Sequence, residues 1–114
     1  MPQEDQIKLR IYSSEDELIA AGLPDIILDR GESDQSIDLD NYYQDSNFDD
    51  NEMFWESLPT FDQNNLEVNI YPITHVVTLY APETAAESIE TVVVRVTSPA
   101  GISANDTMLV TIRS

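Results

Sequence analysis

Apolar and polar residues alternate with a period of two over most of the chain, the spacing of strands that bury one face. The final third shows it most plainly. Val92, Val94 and Val96 share one face, while Thr91, Arg95 and Thr97 share the other. Met108, Val110 and Ile112 alternate in the same way with Leu109, Thr111 and Arg113. The Ser98-Pro99-Ala100-Gly101 stretch between the two runs predicts an antiparallel hairpin. Upstream, the same period marks Pro24 to Asp29 with Ile26 and Leu28 inward, Ile37 with Leu39, and Met53 with Trp55. Leu66, Val68 and Ile70 form another run, and Thr74 to Tyr80 carries Val77 and Leu79. Seven short strands between Leu23 and Ser114, joined by polar connections without a helical pattern, predict an all-β sandwich.

The first 22 residues read differently. Gln6 to Tyr12 has the alternation of a further strand, through Ile7, Leu9 and Ile11. Ser14 and Glu17 have the spacing of a capping box, which predicts one or two helical turns over Leu18 to Ala21, ended by Gly22. Residues 1–22 are therefore assigned as a linker or the tail of a preceding unit, and residues 23–114 as the domain.

Composition narrows the function. A chain of 114 residues that is 41% apolar can fill one core. No apolar run approaches the roughly 20 residues of a spanning helix, so membrane insertion is not expected. The absence of cysteine removes disulfides, thiolate metal sites and Cys nucleophiles. With 22 acids against 5 basic residues the formal charge is −17, which disfavours nucleic acid and anionic lipid as partners. Between Gly31 and Val94 there is no Lys or Arg at all. Acids in that span must be solvated, bind cations or meet a basic partner.

Single residues say little about catalysis. His75 is the only histidine, so a paired-His metal site is excluded, and its place in an apolar run reads as a strand residue. Trp55 shares its phase with Met53 and is assigned to the core rather than to stacking on a sugar. Asp38 and Asp40 flank Leu39 and would point the same way in a strand, about 7 Å apart. Carboxylates at that spacing also serve glycoside hydrolysis, but no cleft or raised pKa is implied, and enzyme activity is not expected. Glycine pairs that cradle phosphate are missing.

The segment from Ser36 to Glu52 concentrates hard oxygen donors, the ligands that calcium takes in sets of six to eight. Asp45, Asn47, Asp49 and Asp50 are the candidate Ca2+ ligands, since crowded carboxylates repel unless a cation lies among them. An EF-hand is excluded: Asp50 stands where that loop needs Gly, and both flanks read as strands.

An ordered series of motifs then carries a resemblance. Leu23-Pro24-Asp25-Ile26-Ile27-Leu28-Asp29-Arg30-Gly31-Glu32 resembles the proline-marked first strand and Gly-Glu turn of cadherin-like or Ig-like repeats in bacterial extracellular proteins. Ile37 to Asp45 resembles their strand, tyrosine and acidic turn, and Met53-Phe54-Trp55 their tryptophan strand. Glu90 to Ser103 resembles the penultimate strand and hairpin, and Asp106 to Ile112 the closing strand. Asp45-Ser46-Asn47 stands where such repeats commonly have Asp-Pro-Asp. The resemblance implies a seven-stranded Greek-key sandwich. It also implies a non-enzymatic spacer or cell-adhesion module of a larger secreted or surface chain, stabilised by calcium, with neighbouring repeats and a protein or polysaccharide ligand as partners. The alternative function is a carbohydrate-binding accessory module with a structural calcium.

Overall fold

The computed structural model describes residues 18–114. Nine strands form among them: β1 (Leu18–Ala20), β2 (Ile26–Asp29), β3 (Ser33–Asp38), β4 (Tyr43–Asp45), β5 (Phe54–Ser57), β6 (Glu67–Ile70), β7 (Val76–Tyr80), β8 (Ser88–Thr97) and β9 (Ser103–Arg113). Two single-turn 3-10 helices, Leu39–Asn41 and Asp50–Glu52, are the only helical elements of the described residues. The protein is all-β.

Seven of these strands occupy the segments that the alternation predicts, and two do not. The expectation of helical turns over Leu18 to Ala21 is corrected: Leu18–Ala20 is strand β1, paired antiparallel with β4. Leu18 is buried against the core, so the pairing brings apolar surface inward that an isolated helical turn would leave wet. The capping box at Ser14 and the run Gln6–Tyr12 lie outside the described residues.

Strand order is β2-β9-β8-β5 in one sheet and β3-β7-β6 in the other, with β1 and β4 as a separate ribbon. β2 runs parallel to β9, and every other pairing is antiparallel. The inner faces of the two larger sheets bury Leu28, Ile37, Trp55, Val77, Leu79, Val92, Val94, Val96, Met108, Val110 and Ile112 in one cluster. The predicted inward phases of β8 and β9 are therefore those observed. Between them, Gly101 takes φ +85°, a conformation in which a Cβ is unfavourable, and its N–H donates to Ser98 O at 2.9 Å. The bulge in β3 between Asp34 and Ile37 is held by the Asp34 carboxylate, which accepts from the Ser36 N–H and hydroxyl.

The predicted continuation of β3 through Leu39 to Asp40 does not occur. Asp38 caps a 3-10 turn instead, its Oδ1 accepting the Asp40 N–H at 3.1 Å. Leu39 is fully buried and Asp40 lies within the 3-10 turn, so the two carboxylates do not share a strand face.

Candidate functional site

The acidic segment is built outward from Leu39. Its side chain enters the core, and its N–H donates to His75 O at 3.0 Å, tying the segment to the turn before β7. His75 is therefore not a strand residue as expected. It sits at the exit of that turn with φ +63°, and only 4% of its surface is exposed. Its Nδ1 lies 2.7 Å from Asp40 Oδ1, and this contact joins the two loops a second time. A buried side chain in the left-handed region persists only where its surroundings hold it there.

That contact yields a test. His75→Ala should cost about 2 kcal/mol, because it strands the half-buried Asp40 carboxylate and keeps the unfavourable φ. His75→Gly should recover about 1 kcal/mol of that loss, since glycine adopts the same φ freely. Urea melts of the two variants decide it, and a glycine variant no more stable than the alanine one would refute the reading.

Beyond the 3-10 turn, Tyr43 on β4 packs edge-on to Trp55, with ring centroids 5.9 Å apart and planes at 75°. Trp55 is buried, as its phase predicts, and offers no ring face to a ligand. Exposed large aromatics of the described residues are Phe54 on β5 and Tyr71 before β7. The Tyr43 hydroxyl donates to Asp50 Oδ1. Burial pushes the Tyr43 phenol above its ordinary range, reinforced by that hydrogen bond and by the charges of Asp50, Asp40 and Asp45.

The four candidate calcium ligands fall as follows. Asp45, Asp49 and Asp50 line one open depression of about 610 Å3 together with Tyr43, Gln44, Phe48 and Asn51. Asn47 is not part of that lining. Asp45 Oδ1 is occupied by the N–H groups of Asn47 at 2.7 Å and Phe48 at 2.9 Å, while its Oδ2 is buried without a hydrogen-bond partner. Glu52 Oε1 accepts the Asp49 N–H and holds the second 3-10 turn. As placed, no three acidic or histidine side chains of the described residues form a ready ligand cluster.

The wider acidic bias has a use that residue counting missed. Ten of the described acids accept a backbone N–H: Asp25, Glu32, Asp34, Asp38, Asp45, Glu52, Asp62, Glu87, Glu90 and Asp106. Such bonds satisfy turn donors that no strand partner reaches. Glu90 is the most consequential. Only 8% exposed, it accepts from the Asp62 N–H at 2.8 Å, the Ser88 hydroxyl at 2.7 Å and the Asn65 amide at 3.2 Å. Burial alone would raise its carboxyl, but the three donors outweigh burial and hold it below the ordinary glutamate value. The signal was present in the sequence, since Glu90 shares the inward parity of Val92, Val94 and Val96.

No family model matches the chain, and no curated protein shows significant similarity to it.

Proposed function

We propose that residues 23–114 are a seven-stranded Greek-key sandwich of the cadherin-like or Ig-like kind, with β1 and β4 as an added ribbon. In this reading the domain serves as a non-enzymatic spacer or adhesion module within a larger secreted or surface chain. The observation that supports it is the parallel pairing of β2 with β9. Parallel first and last strands mean that the chain enters the sandwich at one pole and leaves at the other, the geometry a string of modules requires. Tension along the chain then loads the β2–β9 hydrogen bonds in shear, so several must break together rather than one at a time.

Calcium has its place in this reading at the depression lined by Asp45, Asp49 and Asp50. The buried, unpartnered Asp45 Oδ2 favours a cation there, and Asp49 and Asp50 supply further oxygen. A carbohydrate-binding role would have to use Phe54 or Tyr71 in place of Trp55.

Two measurements on the whole chain test the proposal. Tandem copies pulled from their ends should unfold in discrete high-force steps, whereas copies pulled through the β8–β9 hairpin should unzip at lower force. Equal forces in the two geometries would refute the load-bearing role. Thermal melts in calcium, magnesium and chelator test the ion. At a calcium concentration a hundredfold above its Kd the fold should gain about 2.7 kcal/mol. No calcium-specific rise at millimolar concentration would refute the cation site and leave the mechanical role standing.

A further inference from the structure

Charge is distributed over this molecule very unevenly in space as well as in sequence. Residues 18–114 hold 17 acids and 3 arginines. On the outer face of the β2-β9-β8-β5 sheet the strands carry Asp29, Glu56, Arg95 and Arg113, two of each sign, and Asp25, just before β2, adds an acid at the edge, where its Oδ1 accepts the Leu109 N–H at 3.0 Å. They neutralise each other in pairs: Arg113 Nε lies 3.0 Å from Asp29 Oδ1, and Arg95 Nη2 2.9 Å from Glu56 Oε2. The four strand charges of this face therefore balance, with Asp25 as an added acid at its edge, on a chain whose formal charge is −17.

The same face carries an exposed apolar patch where a soluble strand face is usually polar. Ile27 and Ile89 are both registered against Thr111, so they lie in one row on either side of it. Leu109 is the next outward residue of β9 and Phe54 stands at the far corner on β5. Ile89 is 65% exposed, Ile27 57% and Leu109 40%. Thr91 is registered against Leu109 at this end of the face, while Glu56 and Arg95 lie on the side toward Phe54 and Asp29 and Arg113 lie beyond Ile27.

We infer that this face is a homodimer contact, in which a second copy of the chain packs its own β2-β9-β8-β5 outer face against it. Charge selects the occupant. Two copies that meet through any acid-rich surface repel, whereas two faces whose strand charges balance meet with little like-charge contact. An isologous pairing also sets the Ile27, Ile89 and Leu109 patch of one copy against that of the other. Strand spacing and rise give a face of roughly 450 Å2 in projection, or about 900 Å2 for the pair, the size of a transient rather than an obligate contact. The inference does not depend on the proposed spacer role.

Sedimentation equilibrium on the full chain tests it. The chain should pass from monomer to dimer between ~5 and 500 µM, and raising salt from ~0.05 to 0.5 M should tighten the dimer, because screening relieves the long-range repulsion of the acidic surfaces. Ile89→Glu should weaken association at least tenfold, while Ile73→Glu, in the turn before β7, should leave it unchanged. A monomer throughout that range, or a dimer indifferent to Ile89→Glu, overturns the proposal. Should Ile89→Glu fail to fold, Thr91→Cys replaces it: the chain contains no other cysteine. Rapid oxidation to a covalent dimer supports the contact. A thiol that neither cross-links nor reacts with maleimide means that another segment of the same chain covers the face, and refutes it.

Discussion

Leu39→Ala should destabilise the fold by about 3–4 kcal/mol. Leu39 is fully buried, and it belongs to a one-turn 3-10 helix rather than to a strand. Truncation leaves a cavity that the short turn cannot refill, because its backbone is pinned by the Leu39 N–H to His75 O and by the Tyr42 N–H to Leu39 O. For a domain near 100 residues that loss lowers Tm by roughly 15 °C. The exposed Ile73→Ala is the control and should stay within about 0.5 kcal/mol of the parent. If Leu39→Ala behaves like Ile73→Ala, the acidic segment is not anchored through the core.

Glu90→Ala should cost about 3 kcal/mol, by a different mechanism. The side chain is buried, yet it stabilises because three donors converge on it: the Asp62 N–H, the Ser88 hydroxyl and the Asn65 amide. Asn65 Oδ1 in turn accepts the Ala86 N–H, so losing Glu90 loosens the β5–β6 and β7–β8 connections together. Glu90→Gln keeps the size but places an NH2 where an acceptor is needed. The sign with pH follows from the lowered carboxyl. A group whose folded pKa is depressed contributes stability above its unfolded value, about 4.3 for glutamate, and loses it as pH falls through the folded value. The gap between the parent and Glu90→Gln should thus be full and constant from pH 6 to 8 and narrow below about pH 4. A gap that stays constant through acid would show that the carboxylate charge is not what the three donors recognise.

Both residues show how far the sequence reached. Val92, Val94 and Val96, and Met108, Val110 and Ile112, fixed two strands and their buried phases, because a period of two leaves one way to bury them. Glu90 was legible on the same parity, but its polarity hid it until its donors came into view, and two of the three come from positions 25 and 28 residues away. The count of strands fell short for a related reason. Leu18–Ala20 is too short to carry a period, and it is a strand only because Tyr43–Asp45 lies beside it. The candidate calcium ligands were half legible. Local spacing marked Asp45, Asn47, Asp49 and Asp50, but only folding shows that three of them share a depression and that Asp45 Oδ1 is committed to its own turn.

By itself the sequence determined the all-β class, the buried phases of the long strands, the hairpin at Ser98 to Gly101 and the burial of Trp55, all set by neighbours a few residues apart. Tertiary structure alone decided the remainder. It placed His75 at a positive φ against Asp40, brought the distant Asp62 and Asn65 to Glu90, and paired Arg113 with Asp29 and Arg95 with Glu56 on one sheet face. The physical reason is range. Strand propensity and side-chain phase are local, whereas charge balance and hydrogen-bond satisfaction depend on which distant segments the fold brings within about 3 Å.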